Sequence, residues 1–215
     1  SVLTGASIQG RRPDFRDVYT RITRWYHESE QAGKPWAIAI DEAGSGAWGL
    51  VTDAENPTHD EARVRVIWGS LLAGGFGVEW YFGYNSPNND LEAQDYRSRD
   101  LFWEQNAIAR RFFEEHVPFH KMRPLPQSMP PKFLYVFGVP DAHYLVMVEN
   151  PARFNEVRLD TPDKRYRLRW FNTRKGGDLV SGTVEEVVAA DAAVSLGLPP
   201  SEIGSDWLAV LNIVN

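Results

Sequence analysis

The sequence contains no cysteine, and this absence excludes several kinds of site at once. Disulfides, thiolate–zinc centres and cysteine nucleophiles all require a thiol. Without cysteine the sequence also does not indicate whether the protein works in an oxidising or a reducing compartment. The chain also has no apolar run near the roughly 18 residues that a membrane-spanning helix needs. Its first residues lack the basic start and apolar core of a signal peptide.

Positive charge is in deficit as well. The 215 residues include 23 basic and 29 acidic side chains, so the formal net charge is −6, and the basic residues form no stripe. Such a chain has no general attraction for nucleic acids or anionic membranes, and we expect neither as a partner. Hydrophobic residues make up 43% of the chain and aromatic residues 13%, which is enough for a packed core.

The sequence also lacks the common motifs that indicate a cofactor-binding or metal-binding site. The sequence has no G-x-S-x-G, P-loop, H-E-x-x-H or dinucleotide-binding pattern, so it predicts no cofactor and no metal. His59 lies near Asp53 and Asp60 and is interpreted as a cap or surface group rather than a metal ligand. Arg97, Arg99, Arg110 and Arg111 are interpreted as pairing groups on a helix surface or at an interface.

Residues 1–117 alternate between two kinds of pattern. Apolar runs at 2–9, 35–40 and 77–83 are typical of strands, and each is followed by apolar residues at helical spacing. Parallel strands need such a helical crossover to return the chain to the same end of the sheet. The pattern therefore predicts an α/β region with a parallel sheet.

A proline-rich stretch at 118–131 marks a change of composition and is interpreted as a linker. In residues 132–215 short alternating strands separated by turn signals predict a small antiparallel sandwich or barrel. Aromatic residues of this region could form a carbohydrate platform, although alternation places most of them in the core. They are Tyr135, Phe137, Tyr144, Tyr166, Trp170, Phe171 and Trp207.

Two carboxylates stand at the end of the second predicted strand. Asp41 and Glu42 follow the apolar run at 35–40 directly, and the carboxyl ends of parallel strands are where α/β folds place ligands. Successive residues point in opposite directions, so only one of the two is expected to face a cavity. The alternative is that both cap the following loop.

Glu79 and Trp80 repeat the arrangement on the third predicted strand. An indole beside a carboxylate suits a sugar, because the ring stacks on the pyranose face while the carboxylate binds hydroxyl groups. Two carboxyl groups about 5 to 10 Å apart are what glycoside hydrolysis requires. The alternative is a core tryptophan beside an arginine-paired glutamate. Gln9, at the end of the first strand, is either a substrate donor or a group that satisfies loop backbone.

The segment 34–44, Lys-Pro-Trp-Ala-Ile-Ala-Ile-Asp-Glu-Ala-Gly, resembles the seventh strand of glycoside hydrolases with a catalytic TIM barrel. The segment 77–83, Gly-Val-Glu-Trp-Tyr-Phe-Gly, resembles the eighth. Together with residues 7–9, 73–84, 96–100 and 169–172, these segments are similar to bacterial proteins with a collagen-binding-type domain, which are related to apiosidase-like glycoside hydrolases.

The resemblance implies the C-terminal part of a (β/α)8 TIM barrel followed by a small antiparallel β-sandwich. In it Glu42 is the nucleophile, Glu79 a weaker second carboxylate, and Gln9, Asp41, Trp48, Trp80 and Tyr81 contact the sugar. The family's acid/base residue, on the fourth strand, has no counterpart here. We therefore expect either a piece of a longer secreted or periplasmic enzyme, inactive alone, or a protomer that completes its barrel with another copy.

A second hypothesis from a different class is a non-catalytic module that binds collagen or carbohydrate. It requires an exposed aromatic face on the region from residue 132 onward. The hypothesis fails if no more than one of the seven aromatic residues is exposed.

Overall fold

The computed structural model describes residues 2–10, 14–85, 87–89, 91–92, 95–125 and 134–214. The chain divides into two compact units, residues 1–107 and 108–215, and the division falls within a helix. In the described part of the chain no helix has the length and apolarity that a membrane crossing requires.

The first unit contains a three-stranded parallel sheet in the order β1-β2-β3. Its strands are β1 (Gly5–Gln9), β2 (Ala37–Asp41) and β3 (Gly77–Val78). Ile8, Ile38 and Ile40 are buried on one face of this sheet. The alternation of β-strands sends their neighbours, such as Gln9 and Asp41, to the other face.

Helix α1 (Val18–Gln31) connects β1 to β2. Val18, Tyr19 and Ile22 are its buried apolar residues, which fits the spacing of one helix face. The helix stops at Gly33, whose φ of 72° is left-handed, and the N–H of Lys34 returns to the carbonyl of Ser29 at 3.1 Å. This is the C-terminal turn for which glycine is preferred.

The second crossover is π-helical over Ala62–Trp68 and then continues as α2 (Gly69–Leu72). A 3-10 turn at Tyr96–Arg99 leads into α3 (Asp100–His116). The alternation of strand and helix predicted for this region is therefore observed, with the parallel pairing that it implied.

The third strand is much shorter than predicted. Only Gly77 and Val78 pair with β2, whereas the apolar pattern predicted a strand over 77–83. The chain leaves the sheet because its backbone bonds to a loop instead: the carbonyl of Tyr81 accepts the N–H of Leu50 at 2.7 Å. Trp80 and Tyr81 are consequently loop residues.

The second unit is antiparallel. A six-stranded sheet has the order β4-β5-β6-β11-β8-β9, and a two-stranded sheet pairs β10 with β7. The strands are β4 (Arg123–Pro124), β5 (Leu134–Val139), β6 (His143–Val148), β7 (Glu156–Val157), β8 (Arg165–Phe171), β9 (Glu186–Val188), β10 (Val194–Ser195) and β11 (Trp207–Ile213). Residues 126–133 of the proline-rich stretch and its neighbours lie outside the described residues.

Both faces of the six-stranded sheet are covered within this unit. One face contributes alternate residues such as Val146 and Leu168 to a buried cluster. On the other, Phe171 contacts Phe112 with ring centroids 4.6 Å apart, and Phe137 contacts Phe119 at 5.3 Å.

The aromatic residues of this unit are therefore not a binding surface. All seven that the platform hypothesis required are buried, namely Tyr135, Phe137, Tyr144, Tyr166, Trp170, Phe171 and Trp207. The hypothesis of a collagen- or carbohydrate-binding module with an exposed aromatic face is wrong, because the period-2 pattern places these rings in the core.

Candidate functional site

The carboxyl ends of β1 and β2 bring three predicted residues together. Gln9 and Asp41 are register partners at the ends of the two parallel strands. The side-chain N–H of Gln9 donates to Oε2 of Glu42 at 2.8 Å. Gln9 and Glu42 are exposed and Asp41 is half-buried, so this group is open to a ligand.

Glu42 reaches Gln9 because its backbone departs from the strand. Its φ is 51°, a left-handed conformation that a non-glycine residue adopts at a cost of about 1–2 kcal/mol. Strict alternation would have sent this side chain to the face of Ile40. Among the described residues no hydrogen bond reaches the second carboxylate oxygen, Oε1, which leaves this oxygen open to an incoming molecule.

Two loops beyond the strand ends form the rest of the candidate site. The first follows Glu42, carries Trp48, and is bonded to the second by the phenol of Tyr81, which donates to the carbonyl of Gly46 at 2.7 Å. Trp48 is 51% exposed, whereas Tyr81 is half-buried. Both predicted aromatic residues thus lie on loops that follow the strand ends.

The other predicted pair, Glu79 and Trp80, is differently placed. The N–H of Glu79 bonds to the carbonyl of Ile40 at 2.8 Å, so its backbone adjoins β2, and its side chain is exposed. Trp80 is half-buried. Its indole N–H donates to Asn106 at 3.2 Å and its ring meets Phe102 edge-on at 4.3 Å. Trp80 therefore has a packing role on α3 whatever else it contacts.

A cavity of about 280 Å³ lies beside the first loop. Its lining includes Phe15, Ser45, Trp48 and Asn56. The volume is close to the lower limit for pockets that hold small ligands. In the described part of the chain no three His, Asp or Glu side chains are grouped as metal ligands.

His59 also lines this cavity. It directly precedes the helical residue Asp60, where a cap stands, but it is not the surface group that was the other interpretation. The side chain is fully buried, and its Nε2 lies 2.7 Å from Oδ1 of Asp53. Burial lowers the pKa of His59 below its ordinary value, and the bond to Asp53 offsets part of this effect. The other oxygen of Asp53 accepts the N–H of Leu101 at 2.9 Å, so the pair ties this loop to the start of α3.

Arg99, interpreted as a pairing group on a helix surface or at an interface, is completely buried within the first unit and bonds to loop carbonyls. Its Nε donates to the carbonyl of Leu50 at 2.8 Å, its Nη1 donates to that of Asn88 at 3.0 Å, and its guanidinium lies over Phe82 at 4.2 Å. It therefore joins both site loops. No local sequence signal separates Arg99 from its exposed neighbour Arg97, because its partners are loop carbonyls distant in sequence.

Tyr84 is the exposed aromatic residue that sequence reasoning missed. It directly follows Gly83 at the end of the second site loop, and its side chain is 54% exposed. An aromatic residue after a glycine beyond a strand end is a signal that could have identified it.

No family model and no curated protein match the chain. Among solved structures, it is similar to a glycoside hydrolase family 5 protein from Bacteroides vulgatus ATCC 8482, with a TM-score of 0.60 and 14% identity over 98% of this chain and 51% of that protein. A second structure, described as a glycoside hydrolase, gives a TM-score of 0.57 and 14% identity over 90% of this chain and 46% of that protein.

The chain spans about half the length of these proteins. At this level of identity the likeness concerns the fold alone. The chain thus has a mixed α/β fold similar to part of the fold of glycoside hydrolases.

Proposed function

We propose that the chain is part of a glycoside hydrolase and that Glu42 is its nucleophile. The observation that supports this most directly is the hydrogen bond from Gln9 to Glu42, which holds an exposed carboxylate at the ends of two parallel strands. Ligands bind at this end of parallel sheets in α/β folds. The fold likeness to glycoside hydrolases agrees with it.

In this proposal residues 1–117 form the last three strand–helix units of a TIM barrel. Residues 118–131 are a linker, and 132–215 form a C-terminal sandwich. The parallel sheet then has two edges, β1 and β3, that other strands must cover to close a barrel. We assign those strands to the rest of a longer enzyme, with a second copy of the chain as the alternative.

The reaction needs two carboxyl groups with different roles. A carboxylate oxygen of Glu42 attacks the anomeric carbon while the bond to the leaving oxygen breaks, and a carboxylic acid protonates that oxygen. The same acid, now ionised, removes a proton from water, and the water oxygen displaces Glu42 from the sugar. The free sugar leaves, and both carboxyl groups return to their initial states.

The chain's own residues supply the nucleophile and its support. Gln9 fixes the orientation of Glu42 through Oε2, and the other oxygen is left for the sugar. Asp41, Trp48, Trp80 and Tyr81 would contact the ring and its hydroxyl groups. Glu79 is the weaker candidate for the second carboxyl group. We place the acid on strands outside this chain.

The experiment uses the longer enzyme that contains this chain and a panel of 4-nitrophenyl glycosides. Glu42→Gln is expected to lower kcat at least 1,000-fold (about 4 kcal/mol). Azide should restore turnover to Glu42→Ala and yield a glycosyl azide, because the small anion occupies the space of the missing carboxylate. Glu28→Gln, an exposed glutamate on α1, is the control and should leave kcat unchanged.

Full activity of Glu42→Gln would refute the assignment of the nucleophile. Loss of activity without azide rescue would make Glu42 a supporting residue only. A smaller loss in Glu79→Gln than in Glu42→Gln is expected, and the reverse order would make Glu79 the principal carboxylate.

A further inference from the structure

Two large aromatic side chains stand in solvent on the neighbouring loops of the candidate site. Trp48 is 51% exposed and Tyr84 is 54% exposed. Single exposed apolar residues are common on protein surfaces and need no explanation. These two differ because the backbone segments that carry them are in direct contact. We call this pair the aromatic shelf.

The contact between the two segments is dense. The carbonyl of Ala47 accepts both the N–H of Tyr84 at 3.1 Å and that of Asn85 at 2.9 Å. The N–H of Leu50 donates to the carbonyl of Tyr81 at 2.7 Å. The residues next to Trp48 and Tyr84 are thus bonded across the loops, which fixes the two backbone segments that carry the aromatic side chains.

Glycine makes this approach possible. A Cβ on Gly83 would stand 2.6 Å from the carbonyl oxygen of Ala47, and one on Gly49 would stand 2.5 Å from the nitrogen of Gly83. Real side chains essentially never come so close to backbone. Both glycines also have left-handed φ angles, 51° and 72°. The backbone that carries the shelf is therefore fixed before any ligand arrives, and preorganised groups lose less entropy on binding.

The surroundings of the shelf indicate the chemistry of its ligand. The segments 43–49 and 81–85, which carry Trp48 and Tyr84, contain no charged residue, and their exposed polar groups, such as the amide of Asn85, are neutral. The carboxylate of Glu61 lines the cavity beside Trp48. A neutral hydroxylated ligand with flat C–H faces matches two aromatic rings on such segments, and a nearby carboxylate can accept its hydroxyl groups.

The shelf is also continuous with the proposed nucleophile. The loop that carries Trp48 follows Glu42 directly, and the phenol of Tyr81 donates a hydrogen bond to the carbonyl of Gly46 in this loop. We propose that Trp48 and Tyr84 together bind sugar rings that adjoin the one at Glu42. The ligand class is then a neutral oligo- or polysaccharide rather than a single sugar. This inference rests on the proposed glycoside hydrolase function.

The test measures binding rather than hydrolysis and uses the longer enzyme that contains this chain, in its Glu42→Gln form so that the ligand is not cleaved. Isothermal titration with cellohexaose, xylohexaose and mannohexaose, and with glucose, xylose and mannose, gives dissociation constants for long and short ligands. At least one hexaose should bind at least 10-fold more tightly than its monosaccharide. Trp48→Ala and Tyr84→Ala should each raise the dissociation constant of that hexaose at least 10-fold.

Matched variants separate the shelf from general effects. Phe76→Ala removes a ring that is 79% exposed before β3, at the opposite end of the strand, and should bind the hexaose normally. Tyr84→Phe keeps the ring and should retain at least half the affinity. Thermal denaturation monitored by circular dichroism checks that every variant is folded.

Two results would overturn the inference: no hexaose binding, or hexaose binding that neither alanine variant weakens. The proposed function can be refuted independently of this inference. If the hexaose binds through Trp48 and Tyr84 but Glu42→Gln is fully active in the longer enzyme, the assignment of the nucleophile is refuted and the role of the aromatic shelf stands. If azide restores hydrolysis but the shelf variants bind the hexaose normally, the role of the shelf is refuted and the nucleophile stands.

Discussion

Substitution of Gly49 by alanine tests whether the two site loops really meet backbone to backbone. Gly49 has a φ of 51°, and the atoms that its Cβ would meet are the carbonyl oxygen of Tyr81 and the nitrogen of Gly83. Backbone atoms cannot rotate out of the way as a flexible side chain could. Accommodation of the methyl group must therefore separate the two loops.

The expected cost has two parts. A left-handed conformation costs an alanine about 1–2 kcal/mol relative to glycine. Forcing a methyl group into packed atoms typically adds about 1–3 kcal/mol. Gly49→Ala should thus lower the free energy of unfolding by roughly 2–5 kcal/mol. Gly33→Ala isolates the first part, because Gly33 has a φ of 72° and nothing within 4 Å of its Cβ position.

Urea unfolding followed by tryptophan fluorescence gives the two free-energy changes. Hydrogen exchange shows where the chain loosens: the amides of Leu50, Tyr84 and Asn85 should exchange faster in Gly49→Ala and at the normal rate in Gly33→Ala. Equal destabilisation by the two substitutions, with unchanged exchange at these amides, would refute the direct contact of the loops. The same result would refute the fixed backbone of the aromatic shelf.

Three other predictions concern buried polar groups. Since burial lowers the pKa of His59 in the folded state, the unfolded chain takes up its proton first. The contribution of His59 to the free energy of unfolding is then full above pH 6.5 and falls below it, by at most about 1.4 kcal/mol per pH unit. Urea unfolding at about pH 5 and about pH 7.5 should show that the free energy of unfolding of His59→Gln depends less on pH than that of the unchanged chain. Burial raises the pKa of Tyr144 to about 12, so its contribution is full below about pH 10 and is lost as the pH rises towards 12; Tyr144→Phe should weaken the alkaline dependence of the unfolding midpoint. Arg99→Lys should lower the free energy of unfolding by roughly 1.5–3 kcal/mol, because an ammonium group cannot reproduce both bonds of the guanidinium, and a change below about 0.5 kcal/mol would contradict the joining role of Arg99.

The strands of the first unit could be predicted because their burial is simple. The run at 35–40 is apolar throughout, and the second strand is observed at Ala37–Asp41. Since the register of parallel strands is regular, the proximity of Gln9 to Asp41 follows from the two strand ends. The contact of Gln9 with Glu42 does not follow, because it depends on the left-handed φ of Glu42.

Residues 79–83 show the opposite situation. Their apolar pattern is compatible with a strand and with a partly buried loop. Which of the two forms depends on a backbone partner more than 30 residues away, the loop that ends at Leu50. His59 and Arg99 were misplaced for the same reason. Their partners are loop atoms brought together by the fold, and periodicity carries no information on such contacts.

Of the four non-glycine residues with a left-handed φ in the described part of the first unit, all but Asn88 lie around one region of the candidate site. Phe15, Glu42 and His59 all have left-handed φ angles between 49° and 57° without being glycine. Phe15 and His59 line the cavity beside the first loop, and Glu42 directly precedes that loop. Each such residue costs the fold of order 1–3 kcal/mol, and a conformation of this kind persists only where its surroundings enforce it. Segments needed only to connect β1 to α1 and β2 to the next helix could have used glycine or asparagine at all three positions. The side chains themselves supply the surroundings that enforce these conformations, because Phe15 and His59 are buried and Glu42 is held by Gln9.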